Sequence, residues 1–241
     1  MLLALHLKRG NISWLSKFFI GYLVVTVAYV FFWIEFPTIA LIVFLIVSIW
    51  HFGRVDALHA FGDGPSLIWI IGFGLMIPTN LAYFHTDEIS SLVRILIGSN
   101  PEFVVMVLLY LWWFWLLSSI IFVFRYRDIS VFKRIEPFLA LSLIAFLPPL
   151  WGFSVYFVFV HSLRHTKRVF KTIGNLNMLW KLLTFATGLL IISGALIFSN
   201  QFKGEFSENF FRSSFVMLAA LTMPHMLFID GYRIIARLEA R

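Results

Sequence analysis

Long apolar runs separated by short polar tracts dominate this chain, and they decide what it can fold into. A helix that crosses a bilayer needs about 20 predominantly apolar residues, and runs of that order follow one another along the sequence. We predict helices near residues 14–34, 38–52, 66–84, 103–124, 138–147, 150–163, 180–199 and 214–230. The pattern therefore predicts an all-α fold, a polytopic integral membrane helical bundle with about eight membrane segments.

The composition supports lipid as the surroundings of most of the chain. Of the 241 residues, 61% are apolar and 13% are charged, whereas a soluble domain is roughly half apolar and about a quarter charged. The absence of cysteine excludes a disulfide framework and thiolate metal or redox chemistry. Because no repeat or linker divides the sequence, we expect residues 1–241 to form a single integral membrane domain.

The basic residues lie in short tracts between the apolar runs, which argues against nucleic acid as a partner. The prolines at 148-149 leave open whether residues 138–163 form one kinked crossing or two short ones. With two crossings and a cytoplasmic N-terminus, 16 of the 19 Lys and Arg residues lie on the cytoplasmic side, and with one crossing the division is 10 against 9. Since cytoplasmic loops are enriched in Lys and Arg, we predict two crossings, both termini cytoplasmic, in the inner (plasma) membrane.

Histidines are the informative polar residues, because ionisable groups at membrane depth are costly and tend to be functional. His51 ends the apolar run IALIVFLIVSIWHFG, His161 ends FSVYFVFVH, and His165 follows four residues later. Residues four apart project from the same face of a helix, so His161 and His165 can bind one metal ion together with His51. An imidazole site without thiolates suits iron, copper, zinc or nickel. The simpler alternative for each histidine is a solvated or hydrogen-bonded residue at the membrane interface.

Two carboxylates are candidates to accept a hydrogen bond from a metal-bound histidine. A metal-bound histidine usually donates its second ring nitrogen to an acceptor. Asp56 follows His51 by five residues, and Asp230 follows His225 by five. Alternatively, Asp56 is a loop carboxylate and Asp230 is a charge at a helix end near Arg233.

Three segments resemble the signature segments of a known family in order and spacing. They are WHFGRVD at 50–56, FVFVHSLRH at 157–165 and LTMPHMLFID at 221–230, with PPL at 148–150 before the second. They are similar to the Brp/Blh family, the bacteriorhodopsin-related integral membrane β-carotene 15,15'-dioxygenases of prokaryotes. The resemblance implies iron-dependent cleavage of the central double bond of β-carotene by dioxygen. The two retinal molecules formed serve as the chromophore of microbial rhodopsins.

The resemblance also implies the site residues. Ferrous iron, Fe(2+), would be held by histidines only, with His51, His161 and His165 as metal ligands and His225 beside the site. The fourth ligand of the family belongs to a PHGAxDH-like segment that ends an additional first helix, and this chain has no such segment. His6 falls about two helical turns too late to replace it. We expect either that the natural start lies upstream, which we favour, or that the ligand and the activity have been lost.

Other function classes are also compatible with some of these features. A non-catalytic carotenoid-binding or rhodopsin-assembly membrane protein, which would not need a complete ligand set, is the main alternative. A di-iron desaturase also uses HxxxH, but it needs adjacent histidines that the chain lacks. A metal transporter would need several carboxylates or histidines within the spans. The expected partners are β-carotene, dioxygen and the lipid bilayer, with a possible functional link to a rhodopsin.

Overall fold

The computed structural model describes residues 12–62, 64–157 and 205–238, together with residues 161, 189, 192–193 and 196. Within these residues all regular structure is helical and no strand occurs. The helices are α1 (Ile12–Glu35), α2 (Pro37–Phe61), α3 (Leu67–Phe84), α4 (Thr86–Ile97), α5 (Glu102–Arg125), α6 (Val131–Phe146), α7 (Pro149–Val155) and α8 (Phe206–Leu238). The predicted all-α fold is confirmed.

Five of these helices are long and apolar enough to cross a membrane. They are Ser16–Glu35 within α1, the whole of α2, α3 and α5, and Phe206–Phe228 within α8. The membrane class is therefore confirmed. The predicted segments 138–147 and 150–163 contain the shorter helices α6 and α7, and most of 180–199 lies outside the described residues. A total of about eight crossings stays a prediction.

The end of α2 was predicted wrongly. We expected the helix to end near His51, but it continues to Phe61, so His51 lies inside it. The charged residues Arg54 and Asp56 suggested a loop, yet they are only 5% and 4% exposed. Asp56 is therefore not the loop carboxylate of the alternative interpretation, but a buried helical residue. A buried, partnered charge does not end a helix, because its cost is offset by the groups around it.

The prolines at 148-149 separate two helices, as predicted. Helix α6 ends at Phe146, and Pro148 has an extended backbone (φ −52°, ψ 148°) before α7 begins. Because proline has no N–H, the carbonyl of Ile144 cannot receive the usual helical bond from Pro148. The Nε2 atom of His85 lies 2.8 Å from this carbonyl oxygen and donates to it. His85 thus joins the start of α4 to the end of α6.

The chain divides into two compact units, one formed by residues 1–40 and 162–241 and the other by residues 41–161. The boundary falls inside α2. In the first unit α1 packs along α8, where the Tyr22 hydroxyl donates to the carbonyl of Leu221 and the rings of Phe18 and Phe228 lie 5.3 Å apart. The expectation of a single membrane domain stays a prediction.

In the second unit α3 packs against α5 through a buried polar pair. Asn80 is fully buried in α3, and its Oδ1 atom accepts a hydrogen bond of 2.9 Å from Nε1 of Trp112 in α5. Tyr83 stacks on the Trp112 ring at a centroid distance of 3.7 Å. A polar side chain at membrane depth is tolerated when it is hydrogen-bonded in this way. The pair fixes α3 beside α5 and so supports the helix against which α2 packs.

Candidate functional site

The second unit contains a buried pair of histidines that the sequence placed 110 residues apart. His51 lies in α2, and His161 belongs to a π-helical turn that follows α7. Their side chains are 1% and 5% exposed. The ring centroids lie 5.6 Å apart, with the ring planes at 61°. Two of the three predicted metal ligands are therefore neighbours in the folded chain.

The separation of the two rings suits a shared metal ion. A metal held at about 2.1 Å by one nitrogen of each ring sets the ring centroids roughly 5 Å apart. Nε2 of His51 and Nδ1 of His161 are buried nitrogen atoms that make no hydrogen bond, although both residues make other contacts. Imidazole nitrogens are the commonest metal ligands in proteins, so a buried pair at this separation suits a metal ion.

The third predicted ligand, His165, lies outside the described residues, as does His6. In the part of the chain that the structure describes, no group of three His, Cys, Asp or Glu side chains is placed to hold a metal ion. The set of His51, His161 and His165 therefore stays a prediction, of which the structure describes the first two members.

A contact between two glycines brings α2 against α3 beside His51. A Cβ atom added to Gly53 would lie 2.6 Å from the backbone nitrogen of Gly74, and one added to Gly74 would lie 2.7 Å from the carbonyl carbon of Ile49. Both distances are far below van der Waals contact, so only glycine fits at either position. The backbone of α2 is thus in direct contact with α3 two residues after His51.

Asp56 has a partner on the segment that carries His161. Its carboxylate accepts a hydrogen bond from the hydroxyl of Tyr156, and both side chains are buried. We predicted Asp56 as an acceptor for a metal-bound histidine. In the structure Asp56 instead accepts a hydrogen bond from a tyrosine five residues before His161. A hydrogen bond to Asp56 from a metal-bound histidine stays a prediction.

In the part of the site that the structure describes, aromatic rings pack against His161. Phe153, Phe157 and His161 form a stack with successive centroid distances of 5.8 Å and interplanar angles of 21°. Phe52 of α2 meets His161 edge-on at 4.5 Å. The three phenylalanines are half-buried, whereas the histidine is buried. They form an apolar strip that leads along the segment to the histidine.

A family model described as Beta-carotene 15,15'-dioxygenase matches residues 1–232 of the chain. The chain belongs to this family. A member from an uncultured marine bacterium, 66A03, named Beta-carotene 15,15'-dioxygenase, is 29% identical over 228 residues, which are 91% of this chain and 82% of the relative. No solved structure matches the chain.

The family assignment confirms the resemblance drawn from three short segments. Two of those segments, WHFGRVD and FVFVHSLRH, supply the two histidines that meet in the second unit. The third lies in α8 of the first unit, where His225 is half-buried and the backbone of Asp230 is helical. The roles predicted for His225 and Asp230 in this dioxygenase family member stay predictions.

Several residues of the site were not singled out from the sequence. Gly53 stands inside the HFG motif, and Tyr156 stands inside the apolar run before His161, where it looked like an ordinary interfacial aromatic residue. The signal available was weak, because Trp and Tyr are common at membrane interfaces in any such protein. The pairing of Tyr156 with Asp56 joins positions 100 residues apart.

Proposed function

We propose that this chain cleaves the central double bond of β-carotene with dioxygen and forms two molecules of retinal. The observation that carries the proposal is the buried pair of His51 and His161 in a chain of the β-carotene dioxygenase family. The name of the 29% identical relative is consistent with it.

The metal we propose is ferrous iron, held by His51, His161 and His165. The donor set fits, since the two described histidines are buried 5.6 Å apart and the chain contains no cysteine. Imidazole nitrogens suit iron among the transition metals. Bound iron would supply the activation of dioxygen, which protein side chains cannot supply.

The residues of the chain would position the substrate and keep the site dry. β-Carotene has no polar atoms, so it offers no hydrogen bond by which a site could orient it. The half-buried rings of Phe153 and Phe157, which lead to His161, and the ring of Phe52 beside it offer apolar contacts along which a polyene can lie. Because apolar contacts discriminate weakly, the length and shape of this apolar strip would set where cleavage occurs.

The function is tested by expressing the chain in β-carotene-producing bacteria and measuring loss of colour and formation of retinal. We expect His51→Ala and His161→Ala to abolish retinal formation. His59→Ala is the matched control, because His59 lies on the same helix and is half-exposed beside Glu136. Retinal formation that survives in both site variants, or is lost equally in the control, would contradict the proposal. Carotene that is bound but not cleaved by the unaltered chain would favour the carotenoid-binding alternative.

The apolar strip is tested by Phe157→Ala. Removing a half-buried phenyl ring costs substrate contact worth about 1 kcal/mol, since complete burial of such a side chain is worth about 1.5–3 kcal/mol. We expect the KM for β-carotene to rise about fivefold with a smaller change in kcat. An unchanged KM would remove Phe157 from the substrate surface.

The location follows from the charge distribution. We propose that the protein is embedded in the inner (plasma) membrane with both ends of this chain in the cytoplasm. Reporter fusions at each end that are active only in the cytoplasm test the orientation. An inactive reporter at either end, in a fusion protein that is present in the membrane, would contradict it. Retinal released here would be available to a rhodopsin, which is the functional link that we propose.

A further inference from the structure

We propose that the hydrogen bond between Tyr156 and Asp56 sets the register of the His161 segment against α2, so that these two are positioning residues for the histidine pair. The inference deepens the proposed function and rests on it. Two contacts cross the interface between α2 and the His161 segment: Phe52 with His161, and Asp56 with Tyr156.

Between the two contacts the residue numbers rise along α2 and fall along the His161 segment. Phe52 of α2 meets the ring of His161 at 4.5 Å, and Asp56, four residues further along α2, accepts from Tyr156, five residues earlier on the other segment. The segments are therefore antiparallel. Four residues of α-helix rise about 6 Å, which is the axial spacing between the two contacts.

The count of four residues against five agrees with the π-helical geometry of the segment's described residues. Residues 156–157 and 161 have this geometry, in which a backbone bond spans five residues rather than four. If the turn reverted to regular α-helix, His161 would rotate by about 100° relative to Tyr156. The contact of His161 with His51 would then be lost. A bond at Tyr156 opposes this change, because it pins the start of the turn to α2.

The burial of both partners makes loss of the hydrogen bond between Tyr156 and Asp56 costly. Tyr156 is 5% exposed and Asp56 is 4% exposed. A buried hydroxyl and a buried carboxylate each need a hydrogen-bonding partner, and hydrogen bonds to a charged acceptor are stronger than neutral ones. Sliding of the segment by one residue would separate the two groups, so the observed register is favoured over its neighbours.

The test compares Tyr156→Phe with Tyr29→Phe in purified full-length protein. Tyr29→Phe is a matched control, because its hydroxyl is also buried and donates a hydrogen bond of 2.7 Å, to the carbonyl of Ala40 in the first unit. The first readout is the visible spectrum of added Co²⁺, whose band positions and intensities report the ligands and their geometry. The second is the separation of kcat from KM for β-carotene.

We expect Tyr156→Phe to alter the Co²⁺ spectrum and to lower kcat at least tenfold, with KM changed less than twofold. With Tyr156 intact, Asp56→Asn should retain both properties, because its side-chain oxygen still accepts from the hydroxyl, whereas Asp56→Leu should lose them. Tyr29→Phe should leave the spectrum and kcat unchanged. A wild-type spectrum and kcat in Tyr156→Phe, or equal effects in Tyr29→Phe, would overturn the inference. If the unaltered protein cleaves no β-carotene, the proposed function fails, while the Co²⁺ spectra still decide the positioning role.

Discussion

Replacement of Gly53 by alanine tests whether direct backbone contact between α2 and α3 holds the histidine site together. The added Cβ would overlap the carbonyl oxygen of Ile70 most closely. It would also lie 2.6 Å from the nitrogen and 2.8 Å from the Cα of Gly74, whereas ordinary van der Waals contact begins near 3.4 Å. The obstructing atoms belong to the backbone, so no side-chain rotation relieves the overlap. The two helices must separate locally by about 1 Å or more.

The expected cost follows from two opposing terms. Overpacking of a well-packed interface costs about 1–3 kcal/mol, and a backbone obstacle places Gly53→Ala at the upper end of that range. Alanine recovers up to about 1 kcal/mol, because it is a better helix former than glycine. The net destabilisation is therefore about 2 kcal/mol, which corresponds to a fall in Tm of roughly 4–8 °C for a chain of this size.

The assay is thermal unfolding of the protein in detergent, together with retinal formation in β-carotene-producing bacteria. Because Gly53 is two residues from His51, we expect retinal formation to fall at least tenfold at a temperature where the variant is still folded. Gly21→Ala is the matched control, since among the described residues the nearest atom to an added Cβ is Cζ of Phe228 at 4.0 Å. It should unfold at or above the wild-type temperature.

The reasoning would be refuted by a Gly53→Ala protein that unfolds at the wild-type temperature and forms retinal at the wild-type rate. Equal losses in Gly21→Ala and Gly53→Ala would also refute it, because they would show a general effect of alanine in these helices rather than a steric one.

Two further predictions concern the packing that supports the site. Asn80→Leu leaves the indole N–H of Trp112 buried without its acceptor. We therefore expect the free energy of unfolding, measured by thermal unfolding, to fall by about 1–2 kcal/mol. An unchanged stability would show that the hydrogen-bonded pair contributes nothing. His85→Ala removes the donor to the Ile144 carbonyl, to which Pro148 cannot donate. We expect the free energy of unfolding to fall by about 1 kcal/mol or more. His85→Gln keeps an N–H donor and should lose less. An equal loss in His85→Gln would contradict the hydrogen-bond explanation.

Local chemistry made the helices and their break predictable from the sequence. The apolar runs have the length of a membrane span, and the two successive prolines cannot both continue a helix, so α3, α5 and the gap between α6 and α7 follow from the residues themselves. The end of α2 was missed for the opposite reason. Whether Arg54 and Asp56 terminate a helix depends on what surrounds them, and sequence patterns do not contain that information.

The candidate site was predictable only in part. The motif histidines were found because imidazoles are rare and conspicuous at membrane depth, and His51 and His161 do meet. The distances between segments could not be foreseen, because they depend on packing between distant parts of the chain. The bond of Tyr156 to Asp56 and the π-helical turn that aligns it are consequences of tertiary structure. The amphipathic helix α4 was not among the predicted helices, since its apolar residues cover only one face.

The most direct test of the proposed function is the stoichiometry of products formed from all-trans β-carotene by the purified protein supplied with ferrous iron and dioxygen. We expect two molecules of retinal for each β-carotene consumed, and no retinal from His51→Ala or His161→Ala protein prepared in the same way. Carotene that is not consumed, products of cleavage at other double bonds, or wild-type yields from either variant would contradict the proposal that this histidine pair carries central cleavage.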